Sequence, residues 1–289
     1  MQHTYSSKVD IQELRTFIER GLKEDLGSGD HTSQACIPED QISKAQLLVK
    51  QVCILSGMDV AREMLEYVDP DARIQFRMED GQSARPGDVA LEVQMNTRAL
   101  LSIERLMLNT LQRMCGISTM SRQYADSVQD YDVKILDTRK TTPQMRFLEK
   151  VAVAIGGCVN YRHGLYDRIM IKDNHVEAAG SIREALHLVR DYLEDRNLQL
   201  DITVEVRNFK ELEEAIMMGG FQRIMLDNFS IAEIREAVVL VDGRYEVEAS
   251  GGITLPDLVK VASTGVDFIS AGALTHGVKA VDLSLKIVG

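Results

Sequence analysis

Short apolar runs alternate with helical patterns from about residue 133 onward. Six of these runs have the length and composition of buried strands: VKILDT, RIMIKD, DITVEV, RIMLDN, YEVEAS and DFISAG. The segments between them repeat apolar positions at helical spacing: TPQMRFLEKVAVAIGG, SIREALHLVRDYLED, NFKELEEAIMMGG, SIAEIREAVVLV and TLPDLVKVASTG. Ser181, with a glutamate three residues later, and the pair Gly219 and Gly220 are typical helix-end signals. This alternation predicts successive β/α units around a parallel sheet.

The first 115 or so residues have a different pattern. A helix is predicted from Ile11 to Lys23, and strands are predicted in KAQLLVKQVCILSG and GDVALEVQ, which turn residues separate. A further helix is predicted through TRALLSIERLMLNTLQRMCG. We therefore expect an α+β first domain that this helix joins, without a low-complexity linker, to the β/α-repeated second one.

Composition narrows the class of protein. Hydrophobic residues make up 45% of the 289 residues and charged residues 27%, which is the balance of a soluble globular protein. No apolar stretch approaches the roughly 20 residues that span a bilayer, and the opening MQHTYSSKVDIQELRTFIERG lacks the pattern of a secretory signal. We therefore expect a cytoplasmic protein with no membrane partner. The four cysteines form no CxxC pair, so we expect reduced, mostly buried thiols and no zinc site.

The formal net charge of -11 limits the classes of ligand. An acidic chain repels nucleic acids and anionic membranes, so we expect neither as a partner. An anionic substrate must instead meet a local cluster of cations that opposes the global sign.

Polar or small residues follow each of the six predicted strands. In chain order these ends are Thr138-Arg139-Lys140, Lys172-Asp173-Asn174, Glu205, Asp227-Asn228, Ser250-Gly251-Gly252 and Ala271-Gly272-Ala273. In a (β/α) barrel, the loops after the carboxyl ends of the strands converge on one mouth, where active sites are found. A solvated turn explains any one of these ends, but it explains less well why they recur after every strand. The sequence therefore predicts a site at this mouth.

Several of these ends carry two interpretations. The glycine turns after the last two strands suit a phosphate held by backbone N–H groups, although glycine at such turns also has steric reasons. Glu205 and Asp227 suit a Mg²⁺ ion that bridges to phosphate oxygens, or they serve as ion-pair partners of the nearby cations. Lys172 is either a Schiff-base nucleophile or a charged ligand for an anion, and the neighbouring carboxylates favour the charged ligand.

Nine segments together resemble the motifs of one known family. They are EDLGSGDHTS, SIERLMLNTLQRMCGIST, ILDTRKTTP, LEKVAVAIGGCVNYRHGL, IKDNH, VEV, MLDN, EASGGI and GALTHGVKAVDLSLKI, and they cover essentially the whole chain. The family is quinolinate phosphoribosyltransferase. The resemblance implies an α/β fold, with an N-terminal α/β sandwich domain over 1–115 and an open (β/α) barrel of about six strands over 116–276; the tail 277–289 is expected to pack back on the first domain. It also implies a homodimer with shared active sites, and it leaves open whether dimers associate further.

Members of this family join quinolinate to 5-phosphoribosyl 1-pyrophosphate and release pyrophosphate and CO₂, giving nicotinate mononucleotide for NAD biosynthesis. By motif match, the implied substrate-binding residues are Arg105 from the partner subunit, Thr138, Arg139, Lys140, Tyr161, Arg162, Lys172, Glu205, Asp227, Ser250, Gly251, Gly252, Ala271, Gly272 and Ala273. The implied catalytic residues are Lys140, Lys172, Glu205 and Asp227. Glu205 and Asp227 are also expected to hold substrate-bound Mg²⁺, directly or through water. We expect no organic cofactor, because the ribosylated pyridine is its own electron sink.

The chain departs from the family pattern at two places. Tyr161 stands where the family has a histidine, and a tyrosine donates a hydrogen bond but does not become a cation near neutral pH. We expect this change to affect quinolinate affinity rather than the class of reaction. Gln144 and Met145 replace a Gly-Leu pair, and we expect this change to affect only the first turn of the following helix.

Three other functions fit part of the sequence. A nicotinate phosphoribosyltransferase of the same architecture would need fewer cations, because its substrate has a single carboxylate. A Schiff-base aldolase would use Lys172, and a non-enzymatic protein would bind the phosphoribosyl donor without consuming it. His175 and His276 are interpreted as loop-orienting residues rather than phosphate ligands.

Overall fold

A computed structural model describes residues 9–288 of the chain. These residues pack as two compact units, one formed by residues up to Arg122 with Thr141–Gly157 and the residues from Leu274, the other by Gln123–Lys140 and Cys158–Ala273. The predicted absence of a secretory signal concerns an opening segment whose first eight residues lie outside the described residues. The division at residues 115 and 276 stays a prediction.

The strands, in chain order, are β1 Ile42–Val49, β2 Cys53–Ile54, β3 Arg73–Phe76, β4 Ser83–Ala84, β5 Val89–Asn96, β6 Lys134–Leu136, β7 Ile169–Ile171, β8 Ile202–Val206, β9 Arg223–Asp227, β10 Glu246–Ser250, β11 Phe268–Ser270 and β12 Leu283–Val288. The helices are α1 Ile11–Leu26, α2 His31–Cys36, α3 Met58–Val68, α4 Thr97–Ser127, α5 Arg146–Ile155, α6 Asp173–Ala179, α7 Ile182–Asp195, α8 Phe209–Met218, α9 Ile231–Val241, α10 Leu258–Ala262 and α11 Ala273–His276. A 3₁₀ turn, Leu255–Asp257, precedes α10.

The first unit contains a four-stranded antiparallel sheet in the order β12-β1-β5-β3. Burial alternates along β1, so that Ala45, Leu47 and Val49 face the core while the residues between them are more exposed. Asp10 caps the start of α1, because its side chain accepts hydrogen bonds from two backbone N–H groups of the first turn. The strand β12, near the end of the chain, pairs antiparallel with β1, so the tail adds an edge strand to this sheet.

The second unit contains a six-stranded parallel sheet in the order β6-β11-β10-β9-β8-β7. All six predicted strands are present, and β8 is buried along its whole length, as expected for a strand covered on both faces. The predicted cap of α7 is also present, because Ser181 Oγ accepts a hydrogen bond from the Glu184 N–H at 3.1 Å. The predicted fold class, an α/β sandwich domain followed by an open barrel of about six strands, is confirmed.

The parallel sheet is curled rather than flat. The segment that contains Val159 runs parallel to β6 through a bridge to Leu136, so it lies at one edge of the sheet. In a flat sheet, this segment and β8 would be five strand spacings apart, about 24 Å. The Tyr161 hydroxyl nevertheless contacts Thr203 Oγ1 on β8 at 2.6 Å, which requires the sheet to close around a shared interior.

Two further findings concern membrane-spanning helices and the cysteines. Within residues 9–288, no helix is long and apolar enough to cross a bilayer. Cys53, Cys115 and Cys158 are buried free thiols, and Cys36 is an exposed one, in agreement with the prediction of reduced, mostly buried cysteines.

Candidate active site at the carboxyl edge of the parallel sheet

The carboxyl ends of the six parallel strands carry the residues that the sequence predicts for the site. Following the sheet from β6 to β7, these are Thr138, Arg139 and Lys140, then Ala271, Gly272 and Ala273, then Ser250, Gly251 and Gly252, then Asp227, Glu205 and Lys172. Because the strands are parallel, all of these residues lie at one edge of the sheet. The order places cations at both ends of the row, with small residues and carboxylates between them.

Two arginines are held near each other at the β6 end. The backbone of Val159 pairs with β6, and the Tyr161 N–H donates to the buried Asp137 carboxylate at 2.7 Å, which fixes the chain just before Arg162. Burial lowers the pKa of Arg162; the Tyr161 phenol partly offsets this, and the nearby guanidinium of Arg139 adds to the lowering. A fixed pair of like charges, one of them largely buried, suits the binding of an anion.

Arg139 supplies the exposed member of this pair. Its side chain makes no ion pair within the described part of the chain, whereas Arg162 donates to the Arg168 carbonyl at 3.4 Å. The turn that carries Arg139 is ordered by a hydrogen bond from the Lys140 N–H to Thr138 Oγ1 at 3.1 Å. Arg139 therefore presents its charge to solvent at the edge where the substrate is predicted to bind.

A lysine and a carboxylate meet at the β7 end of the row. Lys172 Nζ lies 3.3 Å from Glu205 Oε2, with the lysine side chain 44% exposed and the glutamate only 9% exposed. The ammonium of Lys172 is thus engaged in an ion pair, so the geometry favours the ion-binding interpretation of Lys172 over a Schiff-base nucleophile. His175 accepts a hydrogen bond from the Lys172 N–H at 2.9 Å, which agrees with the loop-orienting role predicted for that histidine.

The turn after β10 requires glycine and opens toward solvent. Asp227 is paired with Ser250 across the neighbouring strands, and Asn228 Nδ2 donates to Asp227 Oδ2 at 2.7 Å. Gly251 has a φ of +103°, and a Cβ there would lie 2.7 Å from the Asn228 backbone nitrogen. Gly252 also has a positive φ, but no atom lies within 4 Å of the place of its Cβ. This open turn is suited to a phosphate that approaches the backbone closely.

The carboxylates of Glu205 and Asp227 suit a Mg²⁺ ion whose remaining ligands come from water and substrate. Glu205 and Asp227 lie on adjacent strands, which matches the one or two protein carboxylates of a Mg²⁺ site completed by water and substrate phosphate. Within residues 9–288, no group of three or more His, Cys, Asp or Glu side chains forms a protein-only metal site. These donors therefore suit a cation that arrives with a phosphorylated substrate.

Tyr161 lies inside the barrel. It is 7% exposed, and its hydroxyl contacts Thr203 Oγ1. Burial, with a smaller effect of the Glu248 carboxylate, raises the pKa of Tyr161 to about 12. The guanidinium groups of Arg168 and Arg223 lie 5.5 and 5.4 Å from its ring centroid. The phenol is thus a neutral group bonded to the scaffold, and its predicted contact with substrate stays a prediction.

An ionic layer that the sequence did not predict lies beneath the site. Arg223 donates to the fully buried Glu248 at 3.1 Å and to Glu246 at 2.8 Å, and its guanidinium lies 3.7 Å from the ring centroid of Phe268. Burial opposes the charge of Arg223, but the two carboxylates outweigh it and raise the pKa of that guanidinium. The available signal was the alternation in YEVEAS, where both glutamates point to the same face of β10.

Arg105 belongs to a different compact unit from the other predicted site residues. It is exposed on α4, in the first compact unit, whereas the other predicted site residues belong to the second. Its contribution from a partner subunit stays a prediction.

Comparisons with known proteins agree with the motifs. A family model described as Quinolinate phosphoribosyl transferase, C-terminal domain, matches residues 117–286, and the corresponding N-terminal domain model matches residues 30–115. A decarboxylating quinolinate phosphoribosyltransferase of Nicotiana tabacum is 41% identical over 290 residues, which cover 95% of this chain and 82% of that protein. A probable carboxylating nicotinate-nucleotide pyrophosphorylase of Bacillus subtilis is 40% identical over 275 residues, which cover 95% of this chain and 93% of that protein.

Solved structures show the same fold. The structure of NadC from Streptococcus pyogenes superposes with a TM-score of 0.91 at 34% identity, covering 98% of this chain and 100% of that one. The nicotinate-nucleotide pyrophosphorylase from Francisella tularensis gives a TM-score of 0.90 at 36% identity, covering 98% of each chain. The family that the motifs resemble is therefore confirmed, and the chain belongs to the quinolinate phosphoribosyl transferase family.

Proposed function

We propose that the protein transfers the phosphoribosyl group of 5-phosphoribosyl 1-pyrophosphate to quinolinate and decarboxylates the product, giving nicotinate mononucleotide, pyrophosphate and CO₂ in NAD biosynthesis. The observation that carries this proposal is the row of strand ends, with Arg139 and Arg162 at one end and the Lys172–Glu205 pair at the other. The names of the relatives support the same reaction.

The cations are matched to the pyridine substrate. Quinolinate carries two adjacent carboxylates, and guanidinium groups bind carboxylates through paired, charge-assisted hydrogen bonds. We assign this role to Arg139 and Arg162, with Lys172 neutralising the remaining charge; Tyr161 directly precedes Arg162 in sequence. Bound quinolinate would also relieve the repulsion between the two arginines. A substrate with one carboxylate, such as nicotinate, would leave part of this charge uncompensated.

The small residues and carboxylates are matched to the donor. The turns at Ser250–Gly252 and Ala271–Ala273 would hold the 5-phosphate, and Thr138 and Lys140 would contact the donor's other charged groups. Positive charge develops on the ribose ring as the bond to pyrophosphate breaks and the bond to the pyridine nitrogen forms. Carboxylates fixed nearby, here Glu205 and Asp227, stabilise that transition state more than the ground state.

The carboxylates would also hold Mg²⁺ that arrives with the donor, and bound Mg²⁺ would neutralise charge on the leaving pyrophosphate. Decarboxylation follows on the ribosylated ring. The bond from the ring carbon to the carboxylate breaks, its electron pair is stabilised by the cationic nitrogen, and the ring carbon then takes a proton from solvent. Since the substrate supplies the electron sink, no organic cofactor is needed.

One assay tests the function. Purified protein is incubated with quinolinate, the phosphoribosyl donor and Mg²⁺, and nicotinate mononucleotide and CO₂ are measured. We expect both products in equal amounts, and no product when nicotinate replaces quinolinate. Product from nicotinate alone would favour the rival phosphoribosyltransferase, and donor binding without turnover would favour the non-enzymatic protein. Covalent trapping of substrate by borohydride at Lys172 would favour the aldolase.

We propose further that two copies form a homodimer in which Arg105 of the partner subunit completes each site. Arg105→Ala and Lys172→Ala, each inactive alone, should regain activity when mixed, because some dimers then hold one intact site. No recovery in a mixture proven to exchange subunits would argue against shared sites. A cytoplasmic location stays a prediction, and three relatives from Nicotiana are named as mitochondrial.

A further inference from the structure

Arg113 on α4 holds several parts of the first compact unit at once. Its Nε donates to Glu149 Oε1 at 3.0 Å, and its Nη2 donates to the Thr275 carbonyl at 2.5 Å. Its Nη1 donates to the Val278 carbonyl at 3.4 Å. One guanidinium therefore connects the carboxylate of Glu149 with one carbonyl inside α11, that of Thr275, and one carbonyl just after it, that of Val278.

Glu149 extends this connection to a second segment. Its side chain is fully buried on the first turn of α5, and its Oε2 accepts a hydrogen bond from the Thr142 N–H at 3.3 Å. One carboxylate oxygen thus binds Arg113 while the other binds the backbone of Thr142. The pair forms a continuous bridge from Thr142 through Glu149 and Arg113 to Thr275.

The residues beside Arg113 fasten the same tail to α4. The Val281 N–H donates to the Gln112 carbonyl at 3.0 Å, and the Gln112 side chain donates to the Leu283 carbonyl at 2.9 Å. A Cβ at Gly116 would collide with the Lys279 carbonyl, so glycine is needed for this close approach. The segment from Thr275 onward is therefore fixed to α4 at several points. The contacts of Arg113 are the ones nearest to the start of that segment.

The two anchored segments directly continue from predicted site residues. Thr142 comes two residues after Lys140, and Thr275 comes two residues after Ala273. At both places the chain passes from the unit with the parallel sheet into the unit that contains α4. The bridge thus fixes the chain just beyond the Arg139-Lys140 turn and just beyond the turn after β11.

We propose that Arg113 and Glu149 are positioning residues that set the placement of these two turns against the substrates, an inference that rests on the proposed function. Neither residue touches the reacting atoms. Both act through backbone groups close in sequence to the residues assigned to quinolinate and to the donor phosphate. Small displacements of such groups weaken substrate binding, because charge-assisted hydrogen bonds depend on distance and alignment.

The chemistry of the bridge makes it sensitive to conservative changes. An arginine directs donors to several acceptors from one rigid plane, whereas a lysine keeps the charge but has a single ammonium with a different shape. A glutamate accepts hydrogen bonds at both oxygens, whereas a glutamine accepts at one and presents an N–H₂ group at the other. Glu149→Gln therefore releases Thr142 or loosens Arg113, while Arg113→Lys loosens both segments.

Steady-state kinetics of these variants test the proposal. We expect Glu149→Gln to raise the KM for quinolinate about fivefold, the effect of about one hydrogen bond, with a smaller change in the KM for the donor. Arg113→Lys should raise both KM values by about fivefold or more. The matched control is Arg98→Lys on the same helix, because Arg98 also donates to backbone carbonyls, those of Ile37 and Gln34. The control should leave both KM values within twofold of wild type.

Amide hydrogen exchange gives a second measurement that does not depend on activity. Exchange should rise within residues 138–142 in Glu149→Gln and also within residues 271–278 in Arg113→Lys, and in neither segment in Arg98→Lys. The double variant Arg113→Met with Glu149→Met removes both charges together and replaces single variants that fail to fold. It should show the Arg113→Lys pattern.

The results separate this inference from the proposed function. Folded bridge variants with wild-type KM values, or an equal effect of Arg98→Lys on KM, would overturn the positioning role even if exchange changes. Unchanged exchange in both segments would overturn the bridge itself. A wild-type protein that forms no nicotinate mononucleotide would instead remove the proposed function, and the exchange experiment would still decide whether the bridge holds the two segments.

Discussion

We expect the buried hydroxyl of Tyr161 to stabilise the folded protein, and removing it tests this expectation. Tyr161→Phe removes the hydroxyl that contacts Thr203 and keeps the ring that lies beside Arg168 and Arg223. A buried hydrogen bond of this kind contributes about 1 kcal/mol to the free energy of unfolding. We therefore expect Tyr161→Phe to be about 1 kcal/mol less stable than wild type at pH 8.

The pKa of Tyr161 reverses this difference at high pH. Its ordinary value is 10.0 and the folded protein raises it to about 12, so the neutral phenol stabilises the folded state fully below pH 10. As pH rises from 10 to 12, the unfolded chain releases this proton before the folded chain does, and the wild type loses about 1.4 kcal/mol per pH unit, or about 3 kcal/mol in all. Phenylalanine has no proton to release. The two proteins should therefore be equally stable near pH 11, and the variant should be the more stable one above it.

Denaturant unfolding followed by circular dichroism measures this difference at pH 8, 10, 11 and 11.5. Comparing the two proteins at each pH cancels the titration of all other groups that the substitution does not touch. A stability difference that stays constant from pH 8 to 11.5 would refute the buried, neutral phenol. The same variant should keep the wild-type KM for quinolinate within twofold at pH 8, whereas a rise of fivefold or more would show that the hydroxyl binds substrate.

Three further predictions follow from the site and the layer beneath it. Arg139→Ala should lower kcat/KM for quinolinate at least tenfold in steady-state assays, the effect of about 1.4 kcal/mol of charge-assisted contact, and an unchanged value would remove that arginine from the site. Gly251→Ala should raise the KM for the donor and lower the melting temperature more than Gly252→Ala, because only the first introduces a collision; equal effects would contradict the geometry of the turn. Glu248→Gln should lower the free energy of unfolding by about 3 kcal/mol, as measured with denaturant. This is the lower end of the range for a broken buried ion pair, because another carboxylate still pairs with Arg223. A loss below about 1 kcal/mol would contradict a buried ion pair at Glu248.

The strands of the barrel were predictable because each is an apolar run bounded by helical patterns. Their order in the sheet was less accessible, since the sequence gives no direct sign that β11 lies next to β6. Once the strands are parallel, however, the position of their polar ends at one edge follows without knowing the order. The prediction that Lys172, Glu205 and Asp227 lie at the same end of the sheet therefore required only that the strands be parallel.

Three of the elements that the sequence analysis missed have weak local patterns. The helix α6, Asp173–Ala179, buries only Val176, so it shows no apolar periodicity. The strands β3 and β12 lie at the edges of the antiparallel sheet and have few fully buried positions. Their formation depends on partners far away in the chain, as in the pairing of β12 with β1. Propensity within a short window does not reveal such partners.

The predicted site is locally positive, although the chain as a whole carries a negative net charge. The formal net charge is -11, yet Arg139 and Arg162 are held close enough for one to lower the pKa of the other. What holds them is backbone pairing with β6 and the contact of Asp137 with the Tyr161 N–H, and within residues 9–288 no carboxylate forms an ion pair with either guanidinium. A carboxylate between them would neutralise the arginines and compete with substrate. The scaffold therefore leaves the counter-charge unfilled. Under the proposed function, this missing charge, more than the total number of cations, would select a dianion such as quinolinate over a ligand with one carboxylate.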